Sequence, residues 1–290
     1  MSTEKDDVMT SNAVPLAGVL GWPITHSLSP LLHMHWIKAL GLKAYYVPLG
    51  CAPEDFISSV PALLKAGFRG FNVTIPHKEA AFALADTVTP RAQHIGAVNT
   101  LWLEDGMLVG DSTDGDGFLS ALPPLEAGSH IVVIGAGGAA KAIVYALAGL
   151  ETVTHITVAN RTIARAEALC AQIRPLFDHT AFDAHGLDGL DHVLSAADVI
   201  VNTTALGMKG HPPLTLDLSA CTASPIAYDI VYTPPLTPFL REAQANGLTA
   251  INGLPMLIGQ ARPGFEKWYG QAAPHTGEEL SLLKRALGQT

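Results

Sequence analysis

Positive charge is scarce in this chain. Seventeen Lys and Arg stand against 26 Asp and Glu, for a formal net charge of −9, and no basic run occurs. That excludes an extended nucleic-acid footprint and leaves room only for a local pocket that takes a small anion. Long hydrophobic runs are missing too. The most apolar stretch, from Ile131 to Leu150, is broken by Lys141 and several glycines, which excludes a membrane span. The first residues, MSTEKDDVMTSN, lack the apolar centre of a secretory signal, and residues 1–12 read as a disordered tail. Cysteine is nearly absent. Cys51, Cys170 and Cys221 are far apart and show no CxxC spacing, so reduced cytoplasmic thiols fit better than a disulfide framework or a zinc site. The 12 histidines are scattered, and His33 and His35 fall on different helix faces, so no metal is expected. Charged residues at 15% against 48% hydrophobic exclude a disordered chain and indicate a soluble globular one.

What is present is alternation. The runs LAGVLG, AYYVPLG and FRGFNVTIP read as strands, interleaved with helical SPLLHMHWIKALG, EDFISSVPALLKAG and a helix opening near His77. AVNTLWLEDGMLVGDSTDG breaks the pattern, with two strand-like runs around Glu-Asp-Gly, a hairpin signal. A second series begins at HIVVIGAGGAAKAIVYALAGL and continues through HITVAN, RTIARAEALCAQI, ADVIVNTT and SPIAYDIVY. The pattern predicts an α/β fold of two domains with largely parallel sheets. The boundaries fall at 13–114 for the first domain and 115–253 for the second. The helical residues 254–290 return to complete the first. The glycines at 114–117 predict a flexible crossover or hinge.

Two phrases offer anion sites. In GWPITHSLSP, Pro30 suits the first turn of a helix and Ser29 its N-cap, which leaves Ser27 unexplained unless both hydroxyls and the helix end seat a carboxylate. Ile131–Ile134 is a β-branched strand followed by Gly135, Ala136, Gly137, Gly138, Ala139 and Ala140, then a helical pattern. This is GxGxxA in its strand–turn–helix context, with a helix N-terminus for a pyrophosphate; a ligand-free glycine turn is the plainer alternative. The next strand ends without the Asp or Glu of an NAD site. Asn160, Arg161 and Thr162 stand there, followed by Arg165. Two guanidiniums at a helix N-terminus oppose its dipole and favour a compensating 2′-phosphate, hence NADP, over a merely solvated basic turn.

Hydride chemistry also needs a proton carrier. In NVTIPHK, Lys78 stands on the first turn of a helix, where the positive dipole end disfavours its charge, and Asp114 at the domain junction is a candidate partner. For either residue alone, a surface charge is the commoner role.

Together the phrases GWPITHSLSP, NVTIPHKEAA, IGAVNT, STDGDGF, GAGGAA, NRT, YDIVYTPPLTPFL and NGLPMLIGQA, in this order, resemble the shikimate dehydrogenase family from about residue 17 to 285. The resemblance implies an N-terminal substrate-binding α/β sandwich and a Rossmann-like NADP-binding domain with a cleft between them. It implies reversible NADPH-dependent reduction of 3-dehydroshikimate to shikimate, on the route to aromatic amino acids. Ser27 and Ser29 would bind the substrate carboxylate. Thr74, Asn99, Tyr232 and Gln260 would contact ring hydroxyls or neighbouring groups, with Asn72 supporting them. Lys78 and Asp114 would be the catalytic pair. Gly135–Ala139 would hold the pyrophosphate, Asn160, Arg161, Thr162 and Arg165 the 2′-phosphate, and Ile230 and Gly253 would lie by the nicotinamide. Expected partners are the small-molecule substrate and cofactor, with no nucleic acid or membrane; a homodimer is left open.

The chain departs from the family pattern at Trp22, Met34, Pro90 and Ser112, and Trp22 bears on whether quinate is also a substrate. Competing readings are a dual quinate/shikimate dehydrogenase, a methylenetetrahydrofolate dehydrogenase of related layout, and a non-catalytic NADP sensor. Retention of both Lys78 and Asp114 argues against the last.

Overall fold

The computed structural model describes residues 14–219, 221 and 224–289; the tail expected over residues 1–12 lies outside them. The first sheet contains β1 (Leu16–Gly21), β2 (Tyr45–Gly50), β3 (Phe68–Val73), β4 (Thr87–Val88), β5 (Thr100–Glu104) and β6 (Met107–Asp111). Their spatial order is β2-β1-β3-β5-β6-β4. β1 runs parallel to β2 and β3, whereas β5 is antiparallel to β3 and β6. The β5–β6 hairpin turns on Asp105 and Gly106, both at positive φ (51° and 79°), the two-residue geometry that matches strand twist. Helices α1 (Ser29–Ala39), α2 (Phe56–Lys65), α3 (Lys78–Leu84) and α4 (Pro90–Ile95) connect these strands.

The second sheet contains β7 (Ser129–Ile134), β8 (Val153–Ala159), β9 (Ala181–His185), β10 (Val199–Asn202), β11 (Ile226–Asp229) and β12 (Thr249–Ile251). All its pairs are parallel, in the order β12-β11-β10-β7-β8-β9. Read from β9, that is the 3-2-1-4-5-6 order of a dinucleotide-binding Rossmann fold. Its helices are α5 (Asp114–Leu119), α6 (Gly138–Ala148), α7 (Ile163–Ile173), α8 (Asp191–Leu194) and α9 (Pro238–Ala245); α10 (Leu254–Tyr269) and α11 (Glu279–Ala286) follow. Ile131 and Val133 face α6 and α7, Val132 and Ile134 face α8 and α9, and all four are fully buried. A strand covered on both faces has to be apolar at every position, which is why VVI runs unbroken there.

In the first sheet, Ala17 and Val19 pack with Trp36 of α1 and with Leu257, Phe265 and Trp268 of α10. Leu20, Phe71 and Val73 pack on the opposite face with Phe56 and Val60 of α2. The chain therefore leaves the first sheet, builds the second, and returns through α10.

Residues 114–117 are not the flexible crossover expected from their composition. They form the start of α5, and their glycines serve close approach. A Cβ at Gly115 would come 2.7 Å from the Ala146 Cβ and 2.8 Å from the Ala142 carbonyl of α6. One at Gly117 would come 2.7 Å from both the Met256 carbonyl and the Gln260 nitrogen of α10. α6 and α10 come close to α5 at these two positions because neither glycine puts a side chain in the way.

Candidate active site

Lys78 owes its position to the turn before it. The His77 N–H donates to the Thr74 carbonyl (2.9 Å), and the buried His77 ring stacks on Phe56 and bonds the Cys51 carbonyl through Nε2 (2.8 Å). The turn fixed, α3 starts at Lys78. Its ammonium forms an ion pair with Asp114 Oδ2, the side chains being 14% and 6% exposed. Asp114 is likewise the first residue of its helix. The two residues, 36 positions apart, are thus brought together by two helix starts facing each other.

Asn99 completes the cluster. Its Oδ1 accepts from the Thr113 N–H (2.8 Å), which turns the amide nitrogen toward Asp114 Oδ1 (2.9 Å), Gln260 Oε1 (3.1 Å) and Thr113 Oγ1 (3.0 Å). Thr113 Oγ1 also donates to the Gln260 carbonyl (2.8 Å). Gln260, on the buried side of α10, spends one amide hydrogen on the Leu257 carbonyl. Asp114 therefore has a donor on each oxygen, Lys78 on one and Asn99 on the other. Such a carboxylate is fixed in direction, and holds an ammonium at a defined place.

Asn72 lies one layer behind. Both amide hydrogens are used, on the Asn99 carbonyl and Thr100 Oγ1 (3.3 Å each), and its Oδ1 accepts from the Tyr46 hydroxyl (2.7 Å). It sits behind Asn99, with both amide hydrogens engaged inside the protein.

The serine phrase folds differently from the capping expectation. Ser29 is not an N-cap: Leu28 already has helical dihedrals and its carbonyl accepts from the Leu32 N–H, so α1 begins at Ser29. The capping contact comes from Ser27, whose Oγ accepts from the Ser29 N–H (3.3 Å). Tyr232 reaches this corner. Burial pushes its phenol up, against opposing bonds from the Leu28 backbone and the Ser27 side chain. Thr74 is half-buried, its backbone bonded to Leu20 and its methyl against Gly21.

The glycine turn abuts this cluster. A Cβ at Gly138 would come 3.2 Å from the Lys78 Cβ and 3.4 Å from the Ala97 Cβ. Gly135 has φ +117° and lies against Thr203, whose hydroxyl donates to the Ile134 carbonyl (2.7 Å). Gly137 is extended and faces open space, with no atom within 4 Å of where its Cβ would stand, so no side chain at this position crowds the N-terminus of α6 and its free N–H groups. Ala139 follows on the first turn and Ala140 is fully buried against the sheet. This donor set suits a pyrophosphate. At the end of β8, Asn160 Nδ2 closes a turn on the Thr162 carbonyl (2.8 Å). Arg161, Thr162 and Arg165 are exposed, and neither arginine has a carboxylate partner among the described residues. Gly253 meets the Ile230 backbone so closely that a Cβ would lie 2.0 Å from that carbonyl oxygen.

One member of the site was not read from sequence. Asp229 ends β11 fully buried, accepting from Asn202 Nδ2 (2.9 Å), the Val231 N–H (3.0 Å) and the Thr237 hydroxyl (2.6 Å). Burial pushes its carboxyl up to about 6 despite those bonds. The bonds set the loop that carries Ile230 and Tyr232. The only sequence signal was a carboxylate closing an otherwise apolar strand.

Residues 19–101 match the family description "Shikimate dehydrogenase substrate binding domain", and residues 122–208 match "Shikimate / quinate 5-dehydrogenase". The chain is 50% identical over 270 residues to a shikimate dehydrogenase (NADP(+)) of Methylobacterium radiotolerans, covering 90% of this chain and 93% of that one. It is 45% identical over 285 residues to that of Paracoccus denitrificans, covering 95% and 97%. Among solved structures it resembles the Thermus thermophilus shikimate 5-dehydrogenase in complex with NADP(H) and shikimate (37% identity, TM-score 0.80, 94% of this chain and 100% of that one). It also resembles a quinate dehydrogenase from Corynebacterium glutamicum in complex with NAD (30% identity, TM-score 0.82, 94% and 99%).

Proposed function

The chain belongs to the shikimate dehydrogenase family, and on that premise we propose how its residues carry out the NADP-dependent interconversion of 3-dehydroshikimate and shikimate. The observation that carries the assignment is the joined cluster of Lys78, Asp114, Asn99 and Gln260 against the glycine turn. Bound NADPH supplies the hydride. Ser27, Ser29 and Tyr232 hold the substrate carboxylate at the N-terminus of α1, an 11-residue helix whose dipole favours an anion. Thr74, Asn99 and Gln260 orient the ring hydroxyls.

Lys78 donates its proton to the oxygen on which negative charge develops, and its charge stabilises that oxygen in the transition state. Asp114 keeps the ammonium aimed and accepts a hydrogen bond from the product hydroxyl. In the reverse direction Lys78 takes the proton back. Gly135–Ala139 seat the pyrophosphate, and Asn160, Arg161, Thr162 and Arg165 the 2′-phosphate. Ile230 and Gly253 flank the nicotinamide. Residues 13–114 with 254–290 form the substrate-binding unit in this reading, and 115–253 the NADP-binding unit. No helix among the described residues is long and apolar enough to cross a membrane, and the three cysteines are free, a state suited to the reducing cytoplasm.

The test follows NADPH formation spectrophotometrically with shikimate and then with quinate. Shikimate turnover by Lys78→Ala should fall about 10²–10⁴-fold, the range for removing a general acid–base, with NADP affinity unchanged. Near-normal turnover in that variant removes Lys78 from the role. Faster turnover of quinate than of shikimate would overturn the substrate assignment.

A further inference from the structure

The segment that carries Asp114 is gripped from outside the cluster. Asp111, three residues before it, is mostly buried at the end of β6, and Arg91 of α4 meets its carboxylate as a fork, Nε to Oδ1 (2.7 Å) and Nη2 to Oδ2 (2.5 Å). The third arm, Nη1, pairs with Asp116, two residues after Asp114. Thr89, the N-cap of α4, donates its hydroxyl to Asp111 Oδ1 (2.5 Å), and the Ser112 N–H donates to the same oxygen (2.8 Å). Burial pushes the Asp111 carboxyl up, but the bonds from Arg91, Thr89 and Ser112 outweigh it and hold the group below the usual carboxylate range.

The other end of α4 is tied to the second sheet's layer. Gln172 of α7 donates to the carbonyls of His94 (2.6 Å) and Ile95 (3.1 Å), and Ile95 and Ala97 pack on Ala142 of α6. From that end the chain runs through the left-handed Gly96 (φ 67°) straight to Asn99. One short helix thus lies between the cofactor side and both Asp114 and the Asn99 amide that bonds it.

We propose that Arg91 is a positioning residue for the reaction: by clamping Asp111 and Asp116 it sets the direction in which Asp114 presents its carboxylate to Lys78. The role needs a planar fork that serves two carboxylates at once, which a lysine's single point charge does not offer. Arg91's side-chain hydrogen bonds and ion pairs go to Asp111 and Asp116 rather than to Lys78, Asp114 or Asn99, so its effect passes through the backbone of residues 111–116. The proposal rests on the assignment of Asp114 to the reacting oxygen.

A double-mutant cycle decides it, reading kcat, KM for shikimate, NADP affinity and Tm for Arg91→Ala, Arg91→Lys, Asp114→Asn and the combined variants. Arg91→Ala should lower kcat about 10²-fold, the scale expected for an ångström-sized misplacement of a catalytic group, with NADP affinity unchanged. Arg91→Lys should fall between it and the parent. In the Asp114→Asn background either change should cost less than about twofold, because residues acting as a unit are not additive. A parent-like kcat in Arg91→Ala, or the same fold loss with and without Asp114, overturns the proposal and leaves Arg91 a fold-stabilising residue. If Arg91→Ala does not fold, Arg91→Lys completes the cycle on the same criterion. Near-normal turnover in Asp114→Asn would instead refute the assignment of the site, and this proposal with it.

Discussion

Asp229 shows at the scale of one residue how a site is held at a cost. Its carboxyl, at about 6 in the fold against an ordinary 3.8, binds a proton that the unfolded chain has already released. Between those values the folded state carries more protons, so its contribution to stability is full below about 4 and is lost as pH rises through about 6. The loss is on the order of 3 kcal/mol at most. Asp229→Asn keeps the shape and the acceptor facing Asn202 and Val231, turns the Thr237 hydroxyl into an acceptor, and removes the charge. Its Tm relative to the parent should therefore rise from pH 4 to pH 7, and parallel curves would show that the burial is not costing charge. At the cofactor end, Arg161→Ala and Arg165→Ala should each raise KM for NADP about 10–100-fold, the worth of one charge-assisted contact, and leave KM for NAD unchanged. A loss shared equally by both cofactors would refute a 2′-phosphate clamp. Motif order placed Lys78, Asp114 and Arg161 in these roles, because each sits at a strand end or helix start that the sequence marks. Asp229, Arg91 and Tyr46 carry no such mark: their roles come from burial and from partners distant in the chain.

Elements whose apolar spacing repeats several times, such as β7, α6 and α10, are legible in the sequence, whereas β9 and α9, with few apolar positions, are not. β4, of two residues, and β12, of three, repeat nothing and went unread, as did α4, whose six residues start on Pro90. The glycines of α5 suggest a hinge by composition, yet in the fold they serve packing. Composition alone cannot tell a glycine that loosens a chain from one that lets two helices touch. Gly117→Ala separates these meanings. Alanine is the better helix former by about 1 kcal/mol, so an unpacked α5 would gain stability. Against Met256 and Gln260 the added Cβ overpacks, and the expected result is a loss of about 1–3 kcal/mol together with lower turnover, since Gln260 and Asp114 are pushed apart. A raised Tm would contradict the packing account. Serine capping carries a smaller lesson: the helix turn began one residue earlier than the Ser-Pro signal suggested, and Ser27 took the part expected of Ser29.

For the whole molecule, the two sheets have separate cores but share helices. Phe118 of α5 and Met256 of α10 belong to the core of the second sheet, while Leu257, Phe265 and Trp268 of α10 belong to that of the first. Loss of either core therefore removes support from the other. Calorimetry should show one transition with equal calorimetric and van't Hoff enthalpies, and two resolved peaks would mean the shared helices do not couple the layers.

The late return of α10 and α11 also sets a timetable. Trp36 hydrogen-bonds Glu279, 243 positions further along the chain. At about 5–20 residues per second, the ribosome releases Trp36 tens of seconds before that partner exists. All six strands of the second sheet are made in the meantime. The half of the protein that is made first is thus the half that finishes last, its aromatic face uncovered for most of the time the chain is being synthesised.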